Sequence, residues 1–114
     1  MSWKTYNTVA AAQKDRFAQA HATQICLRGS DVSDETLADC LRLFPKLQSL
    51  DIADTSLTEA GLSTLRDFPN LFTVIWFGTR SSTEYREQLS EELGLEVIDE
   101  NGESNLQLTG MLIW

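Results

Sequence analysis

The chain has 114 residues, 42% hydrophobic and 23% charged, which suits one domain around one core and argues against an unfolded chain. No apolar run reaches the ~20 residues that cross a bilayer, and Met1-Ser2-Trp3-Lys4-Thr5-Tyr6-Asn7 lacks a secretory leader's apolar stretch, so a cytoplasmic protein without membrane contact is expected. The net charge of −8 is lopsided: 9 acidic residues face 8 basic ones up to Arg80, and 8 acidic residues face only Arg86 from Ser81 onward, so direct nucleic-acid binding, which needs a basic footprint, is not expected.

At the N-terminus Tyr6, Ala10, Gln13 and Phe17, with Val9 and Ala20 beside them, recur at helical spacing and predict one amphipathic helix over about 5–20. Its expected role is a lid, with Trp3 part of the same cap. Two near copies follow, Ile25-Cys26-Leu27-Arg28-Gly29-Ser30-Asp31-Val32-Ser33 and Leu50-Asp51-Ile52-Ala53-Asp54-Thr55-Ser56-Leu57-Thr58. Each leads into a helical pattern that closes on Phe44-Pro45 or Phe68-Pro69, with Leu47 or Leu71 two residues on. A third copy starts at Val74, giving steps of 25 and 24 residues.

Within each copy the alternation Ile25/Leu27, Leu50/Ile52 and Val74/Trp76 reads as a short strand with those side chains inward, which makes Trp76 a core residue. Val32 and Leu57 turn in after the strand. Ser33 and Thr58 stand at N-cap positions before acidic residues that suit a helix start, and Leu37, Cys40, Leu41, Leu62 and Leu65 supply the inward helix faces. Ser30, Thr55 and Thr79 share one register, where their hydroxyls are expected to form a polar spine between copies. The third copy loses its pattern after Thr79: Ser81 replaces Leu57 and Arg86 replaces Leu62. Ser81-Ser82-Thr83-Glu84 nevertheless reads as a capping box opening a helix to about Leu93, with Gly94 as its C-cap. Leu95 to Asp99 then reads as a strand, Asn101-Gly102 as a turn, and Leu106-Gln107-Leu108 as the returning strand of a hairpin.

The run Leu47-x-x-Leu50-x-Ile52-x-x-Thr55-x-Leu57-Thr58-Glu59-Ala60-Gly61-Leu62 carries a family likeness. Over about residues 25–79 the chain resembles the cysteine-containing or ribonuclease-inhibitor-like leucine-rich repeats, and the steps of 25 and 24 fall inside the repeat range for such proteins. The resemblance implies a curved solenoid with parallel strands on the concave side and helices outside, used to bind other proteins. The expected fold is thus α/β: a short leucine-rich-repeat solenoid, one domain over 1–114, with an N-terminal helical cap (1–22), three repeats of which the third is degraded (23–93) and a C-terminal β-hairpin cap (94–114). The fold says little about the partner, because binding residues on such scaffolds vary.

Residues alternating with the inward ones should form three rows across the concave face: Gln24, Ser49 and Thr73; Cys26, Asp51 and Ile75; and Arg28, Ala53 and Phe77. Ile75 and Phe77 make the third strand apolar on both sides. Either the C-terminal run Leu108, Met111, Leu112, Ile113 and Trp114 covers them, or they form an apolar anchor beside an acidic rim. Glu84, Glu87, Glu91 and Glu92 are either that rim or a solvated helix face.

Chemistry is sparse. No Gly-rich phosphate loop, His-Glu-x-x-His or nucleophile elbow is present, and Cys26 and Cys40 with a lone His21 fall short of a zinc site, so reduced thiols and neither metal nor cofactor are expected. A Cys26–His21 dyad would need contact between separate elements. Asp31, Asp34 and Glu35 are explained by caps and turns before calcium. The expectation is a monomeric, non-enzymatic module that binds and neutralises a basic protein, in the manner of an immunity protein or inhibitor, through Arg28, Asp51, Ile75, Phe77, Glu84, Glu87, Glu91, Glu92 and Trp114. The alternative is a structural subunit that self-associates or docks into an assembly through Ile75, Phe77 and Trp114.

Overall fold

Ile25, Leu50 and Val74 stand side by side in adjacent parallel strands of a computed structural model of the chain, in which residues 3–106 are described. The sheet has five strands in chain order, all parallel: β1 (Lys4–Thr5), β2 (Gln24–Cys26), β3 (Ser49–Asp51), β4 (Thr73–Ile75) and β5 (Glu96–Val97). Parallel strands need crossover connections, and each connection here carries helix. These are α1 (Val9–Lys14) and α2 (Arg16–His21), α3 (Leu37–Arg42), α4 (Glu59–Ser63) with a 3-10 turn at Thr64–Asp67, and α5 (Thr83–Leu93). Among the described residues no helix is long and apolar enough to cross a membrane.

The pairing runs past the strands. Leu27 and Gly29 donate their N–H groups to Asp51 and Ala53, and Ile52 and Asp54 donate to Ile75 and Phe77. The chain then turns away through left-handed residues at equivalent places, Gly29, Asp54 and Gly78, with φ of 68°, 56° and 72°. All the inward positions expected of the strands and helices, from Ile25 and Leu27 to Leu65 and Trp76, are buried in one apolar cluster. The clean alternation works because one sheet face packs on helices.

Five expectations are corrected. The single N-terminal helix is two helices broken at Asp15, preceded by the unforeseen β1; Val9, Ala12 and Ala18 face the core, while Phe17 is 74% exposed and Ala10, Gln13 and Ala20 lie outside. Asp15 breaks the helix because its carboxylate caps α2, accepting from Ala18 N–H at 3.1 Å, and accepts from the Tyr6 hydroxyl at 2.8 Å; aspartate competes with the helix for its own backbone. Ser33 accepts Thr36 and Leu37 N–H groups through its carbonyl instead of capping α3 with its side chain, whereas Thr58 does cap α4. The N-cap of α5 is Ser82, one residue later than Ser81, with Tyr85 N–H on its hydroxyl, and Gly94 closes the helix at φ 66°.

The expected polar spine is local. Thr55 and Thr79 hydroxyls donate to Ile52 and Trp76 carbonyls in their own turns, at 2.7 and 3.0 Å, and Ser30 accepts from Val32 N–H. Side-chain ties between copies come instead from carboxylates: Asp31 accepts from Val9 N–H at 2.8 Å, Asp34 from Thr58 N–H at 2.9 Å and Glu59 from Ser82 N–H at 3.3 Å. At the C-terminal end the expected hairpin is reduced to one antiparallel bridge, Ile98 with Ser104, after Gly102 takes the turn at φ 80°. Instead, β5 adds to the parallel sheet, and Leu106 is helical; Gln107 and Leu108 lie outside the described residues.

Candidate functional site

On the sheet face turned from the core, three of the nominated residues meet. Arg28 forks onto Asp51, with Nε and Nη2 at 3.0 and 2.8 Å from Oδ2, while its guanidinium carbon lies 5.0 Å from the centre of the Phe77 ring. Register explains the meeting: Cys26, Asp51 and Ile75 are direct cross-strand partners, and Arg28 and Phe77 follow two residues later, just past the ends of β2 and β4. Asp51 is buried but satisfied, since Oδ1 accepts from Ala53 N–H at 3.1 Å, so the charge pair closes without an orphan. Cys26 points its thiol at Asp51 Oδ2, 3.6 Å away, and burial pushes its pKa up. His21 instead packs its ring, tilted by 45°, against Phe17 at 4.5 Å between centres, and no Cys26–His21 contact is found among the described residues. Cys40, buried, is pushed up to about 11 and is a core thiol.

Ile75 is 9% exposed and Phe77 half-buried. The segment named as their cover, Leu108 with Met111, Leu112, Ile113 and Trp114, lies outside the described residues, and so does the nominated role of Trp114.

Phe77 also lines a cleft of about 270 Å3 between α5 and the β4–β5 end of the sheet, whose other walls include Trp76, Val97, Ile98, Arg86 and Glu87. The cleft has a sequence cause. Leu57 and Leu62 are fully buried in the second copy, but Ser81 and Arg86 occupy their places in the third and are only half-buried. Arg86 spends its guanidinium on the loop before α5, with Nη1 on the Ser81 carbonyl at 2.7 Å and hydroxyl at 2.9 Å and Nη2 on the Thr83 hydroxyl at 3.3 Å. Two core leucines are thus exchanged for polar residues, and one of these, Arg86, lines the cleft.

The four nominated glutamates of α5 divide. Glu92 is held by Arg66 in a two-point pair, 2.6 and 3.0 Å, whose guanidinium keeps its carboxyl below the usual range. Glu84, Glu87 and Glu91 are exposed, share one helix face by their spacing of three and four, and have no ion pair among the described residues. Of these, Glu87 also lines the cleft. The acidic face and the apolar cleft therefore join at Glu87, and the sheet-face cluster joins the same cleft at Phe77. Trp76, Val97, Ile98, Asp99 and Asn105 complete that surface and were not foreseen as site residues; the one sequence feature that pointed to them is the loss of leucine at positions 81 and 86.

Neither a protein-family model nor a curated protein matches this chain. Among the described residues no group of three or more His, Cys, Asp or Glu is placed to hold a metal ion. The arrangement is an aromatic-walled cleft with Glu87 in its lining, continuous with a helix face whose carboxylates have no ion pair among the described residues.

Proposed function

We propose that the chain is a short leucine-rich-repeat protein, a small solenoid capped at both ends, that serves as a non-enzymatic module in the cytoplasm and neutralises a basic protein as an immunity protein or inhibitor would. The repeat assignment draws on copies that pair in register at Ile25, Leu50 and Val74. What carries the reading is the junction at Glu87, which belongs to a face of three carboxylates without ion pairs among the described residues and also lines a cleft walled by Trp76 and Phe77. Complementary fields speed encounter with a cationic partner, and a desolvated aromatic anchor slows its release. Self-association through Ile75 and Phe77 is less supported, because Ile75 has little surface to offer and Phe77 is partly covered by Arg28.

The experiment is capture from native lysate at low and high salt, followed by binding kinetics with the retained protein. A single basic partner, held at low salt and weakened at high salt, is expected. Reversing Glu84, Glu87 and Glu91 to lysine should slow its association about tenfold or more at low salt and flatten the salt dependence. Glu92→Lys is the wrong probe, since it breaks the pair with Arg66. An association rate unchanged by the triple reversal sinks the proposal.

A further inference from the structure

We infer that the cleft beside α5 is a socket for one lysine or arginine side chain of the partner; this rests on the reading of the chain as a binder of a basic protein and names the residue type the cleft takes. Size is the first argument. At about 270 Å3 the cleft lies just under the ~300–1,000 Å3 of small-molecule sites, a space for one long side chain more than for a free cofactor. Its walls are divided in the same way as the proposed guest. Trp76, Phe77, Val97 and Ile98 are apolar, and Glu87 and Asp99 line the same space. Lysine and arginine carry an apolar stem and a charged head, so the stem lies along the first group and the head reaches the second.

The electrostatics favour a cation. The Glu87 carboxylate has no hydrogen-bond partner among the described residues. Asp99 uses Oδ1 for the N–H groups of Asn101 and Glu103, both at 2.9 Å, and its Oδ2 has no hydrogen bond among the described residues. Arg86 is the cation in the wall, and its guanidinium is turned to Ser81 and Thr83. Two carboxylates against one committed guanidinium leave the cleft negative. Phe77 already holds a guanidinium, that of Arg28, in cation–π range, so the ring at the cleft wall is one that tolerates cations.

The test is NMR on the isotopically labelled full chain, titrated with the N-acetyl N-methylamides of arginine and lysine, and with that of norleucine, which keeps the stem and lacks the charge. The cationic probes should shift the Trp76 indole and the Phe77, Val97 and Ile98 amides saturably, binding about threefold tighter than the norleucine probe or better. Glu87→Gln with Asp99→Asn should erase that preference. Glu84→Gln with Glu91→Gln, the same change of charge outside the cleft, should leave it. The inference is overturned if no probe gives a saturable shift, if norleucine binds as well, if both variant pairs act alike, or if Trp114→Ala moves the same resonances, which assigns the cleft to the chain's own C-terminal segment. Failure here leaves salt-dependent capture of a basic protein intact, and failure of that capture leaves the titration readable, so the two proposals fall separately.

Discussion

A β-carbon on Gly61 would stand 2.2 Å from Asp34 Oδ1 and 3.0 Å from a Leu57 methyl, although Gly61 lies inside α4, where alanine is ordinarily better by about 1 kcal/mol. Asp34 cannot simply retreat, because its carboxylate accepts both the N–H and the hydroxyl of Thr58 and so ties one copy to the N-cap of the next. Contact therefore outweighs propensity. Gly61→Ala is expected to lower stability by about 1–2 kcal/mol in urea unfolding, the cost of disrupting a charge-assisted hydrogen bond less the helix gain. In an Asp34→Ala background the closer obstacle is gone and only the Leu57 methyl at 3.0 Å remains, so the same substitution should cost clearly less than in the unaltered protein. A gain from Gly61→Ala in the unaltered protein would show that Asp34 moves freely and does not join the copies.

The break between α1 and α2 is an element whose stability follows pH. Ala18 N–H first, then the Tyr6 hydroxyl and the charge of Lys4, hold the Asp15 carboxyl below the usual carboxylate range, and burial pushes the Tyr6 phenol up. A depressed carboxyl stabilises the fold fully above the ordinary aspartate pKa of about 3.9, and that contribution is lost as pH falls from there through the folded-state value. Thermal unfolding below about pH 4 should therefore lose stability more steeply in the native protein than in Asp15→Asn, which keeps a capping oxygen and has no proton to gain; parallel acid limbs would remove Asp15 from the account. The same element shows why part of the fold was hidden in the sequence. Gln13 and Phe17 continue the helical spacing straight across the break, so periodicity alone joins two helices into one. By contrast β2, β3 and β4 were legible because Ile25/Leu27, Leu50/Ile52 and Val74/Trp76 alternate and pack on helices. Leu95 to Asp99 was legible as a strand too, but its parallel pairing with β4 was not, and Lys4–Thr5 is too short to alternate and is a strand because a neighbour's backbone is there to pair with. Asn105 belongs to this story: its side-chain oxygen accepts from Val97 N–H at 2.8 Å and its amide donates to the Leu95 carbonyl at 3.2 Å, occupying the free edge of β5 where a further strand would pair.

Across the whole molecule the candidate site was half-readable for a related reason. The rows Cys26–Asp51–Ile75 and Arg28–Ala53–Phe77 follow from strand parity, and the acidic helix follows from charge counting. The cleft does not, because Ser81 and Arg86 only register as lost leucines until Val97, Ile98 and Asn105 arrive from β5 and beyond to form the opposite wall. Positions where a chain breaks its own pattern are where function is bought at the expense of stability. Restoring the pattern then tests both sides of that exchange at once. Ser81→Leu with Arg86→Leu removes the guanidinium and the hydroxyl it binds together, leaves the half-buried Ser81 carbonyl without its 2.7 Å bond from Arg86, and lets Thr79 keep its 3.0 Å bond to the Trp76 carbonyl. Two leucines, the one at 86 standing in the cleft wall, should recover part of their burial energy, about 1 kcal/mol net, or roughly 4 °C in Tm for a chain of this size. Glu84, Glu87 and Glu91 remain, so salt-steered association should persist while the complex falls apart faster. A more stable protein whose partner binds at the old rate and leaves early is the expected signature. If Tm drops, the polar wall is structural; if the off-rate is unchanged, the partner does not use the cleft.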